Sequence, residues 1–595
     1  MRSGESEAAP PAVWLPERIR QRRALRALTA GGALAPLAVA AVILGVVARL
    51  VHFDDTLLGD ELSTLYTVHD QSLGDVLSQV RSDAEISPPL YFVLAWGFGQ
   101  LGSNPELIRL PALIAGLASI PLTFLLARRL FGHSAGLVAA AIIALNPFMV
   151  FYATEARPYT LAIAFLLGST LAMLVAAERR SLGWWAAYAA LVALAMYSHY
   201  TAAFVLGAQL LWLLWARPEV RAPAIVATAA AALTYLPWVP GVLDDYDSPT
   251  TKILSALQGN GFSVKLDAIG NWAFGYPYQS THTMPGELAL AVGIAAVGLL
   301  ALGASARFIR GVRPAAAARE SDVTKALVLA AALALATPVA EAAILLTGDT
   351  DLFGARNLNI ASGGFAVLLG GLAATAGPLV AALGVTGLLA AFAVGTVKSL
   401  DSDHAIGDFR AAAAFINGSA GVNDVVVDMQ SALLTPVPTT PLSAHMSGEE
   451  RLYNLYLPAG PPPFLLDPPP PRPILEQAIR TARDGRLFLV AESTTVREAD
   501  GGVGIVLPRG SVSRTASQRR AFGERSAGSA NREPAPSDSG STANGRGARS
   551  ALVELPGWRL TESRRFEGSF VSLNVFVLSP PPRSLSGTQP KAQQR

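Results

Sequence analysis

Residues 31–66 read GGALAPLAVAAVILGVVARLVHFDDTLLGDELSTLY, and this stretch decides the fold. Its first twenty residues are almost wholly apolar, long enough at ~1.5 Å rise per residue to cross the ~30 Å hydrocarbon core of a bilayer. The Arg-rich segment before it (Arg18, Arg20, Arg22, Arg23, Arg26) resembles the charged end of a signal peptide, but the run is span-length, so it reads as an uncleaved first helix. Directly after it come four carboxylates, Asp54, Asp55, Asp60 and Glu61.

The pattern recurs along the chain. Apolar runs at about 108–127, 134–151, 158–177, 183–199, 201–215, 222–240, 287–306, 326–347, 359–376 and 378–396 bring the expected number of spans to eleven. Pro88–Leu101 is too short for a span and is expected to lie at the outer interface. Composition agrees: 51% of the 595 residues are hydrophobic, 15% are charged and mean hydropathy is +0.39, which excludes an ordinary soluble enzyme or a disordered chain. A net charge of +2 excludes an electrostatic nucleic-acid binder. The absence of cysteine excludes disulfides, thiolate metal sites and a thiol nucleophile.

Positively charged loops stay on the cytoplasmic side. With the N-terminus inside, that side collects Arg18–Arg26, Arg128, Arg129, Arg179, Arg180, Arg217, Arg221, the arginines at 307, 310, 313 and 319, and Lys325. The outer side, up to residue 358, holds only Arg81, Arg109, Arg157, Lys252, Lys265 and Arg356. Counting Pro88–Leu101 as a span would invert this bias. An odd number of spans places the remainder outside, giving a cytoplasmic N-terminus (1–30), a transmembrane unit (31–397) and an extracytoplasmic domain (398–595) of a multi-pass protein expected in the plasma (inner) membrane.

The last part alternates between the two secondary-structure periods. His404–Asn417 predicts an amphipathic helix, Asp424–Asp428 a buried strand, Ile474–Arg483 a helix, Arg486–Glu492 a strand and residues 551–579 closing strands, together a small α/β domain. Pro458–Pro473 reads as an extended linker. The Ser/Gly/Arg-rich tract near 509–549 lacks the apolar content to pack and is expected to be disordered.

The candidate chemistry gathers in two outer loops. Asp60 and Glu61 abut an apolar span, as does Glu155 in YATEARPYTL (152–161), which also carries Arg157 and Tyr159. A carboxylate held beside apolar surface is partly desolvated and becomes basic enough to accept a proton. Asp54 and Asp55 read more simply as solvated loop charges, and the Asn417-Gly-Ser acceptor pattern carries little weight.

The order of GDE (59–61), SPPLYF (87–92), ELIRLP (106–111), ARRLFG (127–132) and NPFMVFYATEARPYTL (146–161) resembles the membrane glycosyltransferases of the GT-C class. The similarity is to the family 39-like group, which includes protein O-mannosyltransferases and the lipid A aminoarabinose transferase. It covers residues 30–240 firmly and thins towards 400. The resemblance implies inverting transfer of a sugar from a polyprenyl-phosphate carrier to a glycan, lipid or protein acceptor of the cell envelope at the outer membrane face, with Asp60 as catalytic base. It implies that Glu61 and Glu155 orient the acceptor. A divalent cation on these carboxylates is the alternative, although the group generally works without a metal and no cofactor is expected. Arg157 and Arg356 are candidates for the carrier phosphate; where relatives often carry Arg-Tyr, this chain has Arg356-Asn357. Tyr159, His199 in AMYSHYTA, and Tyr91 beside the paired prolines complete the candidate substrate ligands. Glu341, inside the ninth span, reads as a buried, hydrogen-bonded group or a cavity-lining one. Two competing readings are a transporter or flippase of lipid-linked sugars, which would place its ionisable groups near the midplane, and a non-catalytic envelope-assembly protein. The C-terminal domain is expected to capture the acceptor.

Overall fold

The computed structural model describes residues 34–57, 60–82, 85–248, 251, 255, 261–310, 320–348, 350–401, 408–421, 423–428, 464–465, 471–482, 485–491, 496–499, 501–506, 552–566 and 573–581. The Arg-rich N-terminus, Gly59, Lys252, Arg313, Arg319, most of the Pro458–Pro473 run and the 509–549 tract lie outside the described residues.

The membrane part is a bundle of apolar helices. Eight helical segments among the described residues are long and apolar enough to cross a membrane: Leu34–His52, Pro105–Phe131, Tyr159–Arg179, Pro218–Asp247, His282–Ile309, Asp322–Thr347, Ala355–Ala376 and Pro378–Ser399. The other three expected spans fall on shorter helices, His133–Leu145, Leu182–Ser198 and Ala202–Ala216. All eleven apolar runs are therefore helical, and eight of them have full span length. We label the elements that build the site α1 (Leu34–His52), α2 (Asp60–Val68), α3 (Leu73–Val80), α4 (Leu90–Gly99), α5 (Leu110–Phe131), α6 (His133–Leu145), α7 (Pro147–Tyr152) and α8 (Tyr159–Arg179). The expected interfacial segment is α4, only 10 residues long.

The expected 134–151 span is broken at Asn146-Pro147, and the break is built from side chains. Proline has no N–H, so in a continuous helix the carbonyl of Ile143 would lose its partner at position 147. Arg49, fully buried in α1, supplies it: its guanidinium donates to the carbonyls of Ile143 (3.0 Å) and Ala144, and to Gly45 (2.8 Å). Thr396 Oγ1 donates to the Leu145 carbonyl (2.7 Å), and the Asn146 side chain accepts from Met149 N (3.0 Å), restarting the helix as α7. The contact is close because residue 45 is glycine; a Cβ there would stand 2.1 Å from the Ala144 oxygen. An arginine in a span thus uses both terminal nitrogens of its guanidinium in repairing a kink, and the kink turns the chain towards the 153–158 loop.

The C-terminal part is α/β, as its alternation predicts. A five-stranded sheet runs β2-β1-β3-β8-β7, with β1 (Val425–Asp428), β2 (Phe464–Leu465) and β3 (Leu487–Ala491) parallel, and β7 (Arg559–Phe566) and β8 (Leu573–Ser579) antiparallel. A hairpin, β4 (Val496–Ala499) and β5 (Gly502–Val506), unforeseen in the sequence, joins β6 (Leu552–Pro556) in a second sheet. The helix expected from Ile474 begins at Pro471, inside the expected linker. Prolines are tolerated in a first turn because the N–H groups there have no intrahelical partner. Strand period 2 divides the sheet's side chains between two faces. Val426, Phe488, Val490, Val575 and Val577 join an apolar cluster that continues into α2, α3 and α4, while Val425, Val427, Leu487 and Leu489 pack with Ala478 and Ala482 of the helix on the other side.

Arg49→Leu should strand the Ile143 and Ala144 carbonyls and cost about 1–3 kcal/mol. Adding Pro147→Ala, which restores an N–H for Ile143, should recover part of it in a thermal-unfolding measurement. An unchanged melting temperature in Arg49→Leu would refute this account of the kink.

Candidate active site

The site forms where the C-terminal end of α1 meets the N-terminal ends of α5 and α8. Its organising contact is a buried fork: Arg109 Nε and Nη2 donate to the two carboxylate oxygens of Glu61 at 2.6 and 2.5 Å. The same guanidinium donates to the carbonyls of Phe53 (2.8 Å), Asp55 and Thr56 (3.2 Å), and the Ala156 amide donates to Glu61 Oε1 (2.9 Å). Two sequence-distant outer loops, 53–61 and 153–158, are thereby fastened to the entry of α5. Glu61 is 1% exposed; it works in positioning. Arg109, counted in the sequence only as an outer-loop charge, is the partner of Glu61 that sequence reasoning missed.

Asp60, one residue earlier on α2, points the other way and keeps 35% of its side chain accessible. Its Oδ2 lies 3.6 Å from Arg157 Nε and 3.5 Å from Arg356 Nη1. Desolvation raises its pKa, but the two guanidinium groups outweigh that and hold it below the usual carboxylate value. Arg157 is anchored from behind, its Nη1 donating to Glu85 (2.9 Å) and Thr64 Oγ1 (3.2 Å). Glu85 is 2% exposed, takes a hydrogen bond from Ser63 Oγ, and is pushed upward by burial against the opposing pull of Arg157. It too was missed, although a carboxylate two residues before SPPLYF was a signal in plain view.

Arg356 makes no hydrogen bond within the described residues, so its N–H groups are available. It faces an aromatic recess: Tyr152 and Tyr159 have ring centroids 4.6 Å apart, and Tyr159 and His199 5.1 Å apart. Tyr278, which Arg356 also feels electrostatically, adopts φ 62°, the left-handed region that an aromatic residue rarely enters. His199 Nδ1 accepts from the Thr201 amide (3.3 Å), leaving the proton on Nε2. Burial first, then Arg356 and Arg157, lower its pKa to about 3, so the ring is a neutral donor at ordinary pH.

Glu155 lies between this recess and a polar cavity of about 280 Å³ that it helps to line. It is 5% exposed, and its carboxyl has no hydrogen bond within the described residues. Burial, then repulsion from Glu61 and Asp60, raise its pKa well above the ordinary glutamate value. Tyr91 corrects an expectation. It is fully buried and donates its hydroxyl to the Ile108 carbonyl (2.9 Å), bracing α4 against the turn before α5 instead of facing an open recess. Glu341 is buried with both oxygens lacking a hydrogen-bond partner within the described residues, which departs from the hydrogen-bonded burial expected.

The arrangement brings a partly accessible carboxylate (Asp60), two guanidinium groups (Arg157, Arg356) and a neutral imidazole (His199) to one place. A divalent cation does not fit well: Glu61 is occupied by Arg109, Glu85 by Arg157 and Asp60 by two arginines, and among the described residues no three His, Asp or Glu side chains converge as metal ligands would.

Residues 87–240 match the family described as dolichyl-phosphate-mannose-protein mannosyltransferase. That segment includes SPPLYF, ELIRLP, ARRLFG and NPFMVFYATEARPYTL, so the resemblance read in the sequence stands. No curated protein sequence matches the chain. Among solved structures, ArnT from Cupriavidus metallidurans bound to undecaprenyl phosphate is 14% identical, with 77% of this chain and 94% of that one aligned and a TM-score of 0.34. The Archaeoglobus fulgidus oligosaccharyltransferase tethered with an acceptor peptide is 11% identical, over 77% of this chain and 69% of that one, with a TM-score of 0.41.

Because Glu155 binds its proton more tightly folded than unfolded, the wild-type chain loses stability as pH rises above the unfolded glutamate value of ~4.3. Glu155→Gln removes that loss. Its melting temperature should therefore exceed wild type at pH 8 by more than at pH 5; a pH-independent difference would contradict the elevated pKa.

Proposed function

We propose that this chain is an inverting glycosyltransferase that moves a sugar from a polyprenyl-phosphate carrier to a cell-envelope acceptor on the outer face of the plasma (inner) membrane. The observation that carries the reading is the Asp60 carboxylate, 35% accessible, held between Arg157 and Arg356 near the Tyr152, Tyr159 and His199 rings. The matched mannosyltransferase segment supports the same class of chemistry. The N-terminus is cytoplasmic in this reading, residues 31–397 are the catalytic unit and residues 398–595 lie outside.

Asp60 is the base. It takes the proton from an acceptor hydroxyl as that oxygen attacks the anomeric carbon, and the bond from that carbon to the phosphate oxygen breaks. The carrier leaves as polyprenyl phosphate, with negative charge growing on the departing oxygen. Arg356 has unused N–H donors for it, and a planar guanidinium suits a phosphate. Arg157 and the His199 Nε2–H add donors already in place, so little reorganisation is needed as the charge develops. Glu155 and Tyr159 orient the reacting sugars, and Glu61 holds the α2 end in register through Arg109. No step needs a metal.

The two arginines also make Asp60 a conditional base. With the recess empty they hold its proton affinity down. A carrier phosphate that draws Arg356 to itself weakens this hold and raises the basicity of Asp60 when a donor is bound.

Asp60→Asn should lower kcat for label transfer from radiolabelled polyprenyl-phosphate sugars by about 10²–10⁴-fold. Carrier binding should persist or tighten, because the arginines lose their competing anion. Full activity in this variant would sink the assignment. Arg356→Gln should weaken carrier binding and move the acid limb of kcat/KM to higher pH, since removing a positive neighbour raises the Asp60 pKa.

A further inference from the structure

The polar cavity on the far side of Glu61 and Arg109 is not part of the arginine recess. Its walls come from both parts of the chain: Asp54, Asp55 and His52 after α1, Glu155 and Phe151 from the second outer loop, Tyr276, and Asp401, Asp408 and Arg410 from the segment leading into the sheet. The helix Phe409–Ser419 is fastened there by Arg410, whose guanidinium pairs with the buried Glu106 and whose amide donates to Thr56 Oγ1 (3.4 Å). His52 joins the two ends of the bundle, with Nδ1 2.6 Å from Asp55 Oδ2 and Nε2 3.0 Å from Ser399 Oγ.

The charge in this cavity is one-sided. Arg109 is taken up by Glu61 and three carbonyls, and Arg410 by Glu106. Among the described residues, carboxylates outnumber cations in the lining, in contrast to the arginine recess. A phosphate would be repelled here. Hydroxyl and ammonium hydrogens are what carboxylates accept, and the Tyr276 ring, edge-on to Phe151 at 5.3 Å, offers an apolar face for the carbon side of a sugar ring. Glu155 points to an occupant independently of this acidity: it is a carboxyl about 95% buried, lining the cavity without a hydrogen-bond partner within the described residues. A group so placed is costly unless something completes its hydrogen bonding. The volume, about 280 Å³, is at the small end of ligand cavities.

We propose that this cavity is the acceptor subsite and that it takes a neutral or amine-bearing sugar while rejecting an anionic one, with Glu155 completing its hydrogen bonds to the acceptor. The inference rests on the transferase reading for the fate of that sugar, and its binding is testable separately.

The test uses the full chain in nanodiscs of neutral lipid and three probes of equal size: the methyl glycosides of glucose, glucosamine and glucuronic acid. Binding without donor is followed by saturation-transfer NMR, and competition is followed by transfer of label from the carrier. The glucoside and glucosaminide should bind about tenfold or more tightly than the glucuronide. Asp54→Lys with Asp401→Lys, both at exposed positions of the rim, should collapse or reverse that order; the milder Asp54→Asn and Asp401→Asn pair should shrink it. Equal binding of the three glycosides, an order unmoved by charge reversal, or stabilisation by Mg²⁺ or Mn²⁺ that the lysine variant abolishes would overturn the proposal, the last by making this a cation site. Charge-ranked binding without any label leaving the carrier would uphold the cavity and refute the transferase reading. Label transfer without charge-ranked binding would do the reverse.

Discussion

Everything at the site end of the bundle depends on the fork between Glu61 and Arg109. Two full charges buried this deeply repay their desolvation only with near-ideal geometry and with the remaining donors satisfied. Here the guanidinium meets both carboxylate oxygens and three backbone carbonyls, and the carboxylate also takes the Ala156 amide. The pair is therefore a joint between three segments with no sequence proximity. Because Glu61 is fixed, Asp60 is held in a different direction, since adjacent residues of a helix point about 100° apart. Because Ala156 is fixed, Glu155 and Arg157 are set on either side of it.

This joint also separates two environments of opposite sign. On one side are Arg157, Arg356 and a neutral histidine among tyrosines; on the other, a cavity rich in carboxylates. A group-transfer site that handles an anionic leaving group and an uncharged nucleophile benefits from such a division, because a single field cannot favour both. Glu155 stands at the boundary, where burial and the neighbouring Glu61 and Asp60 carboxylates disfavour its charged form. The Asn146-Pro147 break matters for the same reason. It ends α6 early and aims the following turn at the joint, with Arg49 and Thr396 absorbing the loose carbonyls.

Much of this was legible in the sequence, for identifiable reasons. Apolar run length predicts helices because an unpaired backbone group in hydrocarbon is intolerable, and all eleven runs are helical. Asp60, Glu155, Arg157, Arg356 and His199 could be singled out because ionisable residues are rare in such a chain and stand out where they occur, and the structure brings them together. What escaped was pairing. Nothing in the sequence tells that Glu61 faces Arg109, that Glu85 faces Arg157, or that Tyr91 turns inward, because those contacts span 48, 72 and 17 residues and depend on helix rotation. The β4–β5 hairpin escaped for a different reason: VREADGGVGIV has few large apolar residues to mark a period.

The C-terminal part takes on a different meaning once its packing is considered. A domain tethered only by a linker would present a polar surface towards the membrane unit. Here the sheet face carrying Val426, Phe488, Val490, Val575 and Val577 continues the apolar cluster of the outer-loop helices, and Arg410 reaches Glu106, three residues before Arg109. Separating the two would expose apolar surface and strand a buried carboxylate, both unfavourable. Asp408 caps the helix that carries Arg410, through the Ala411 amide at 3.0 Å, and its side chain faces the acidic cavity. The C-terminal part therefore supplies one wall of this cavity through Asp408 and Arg410.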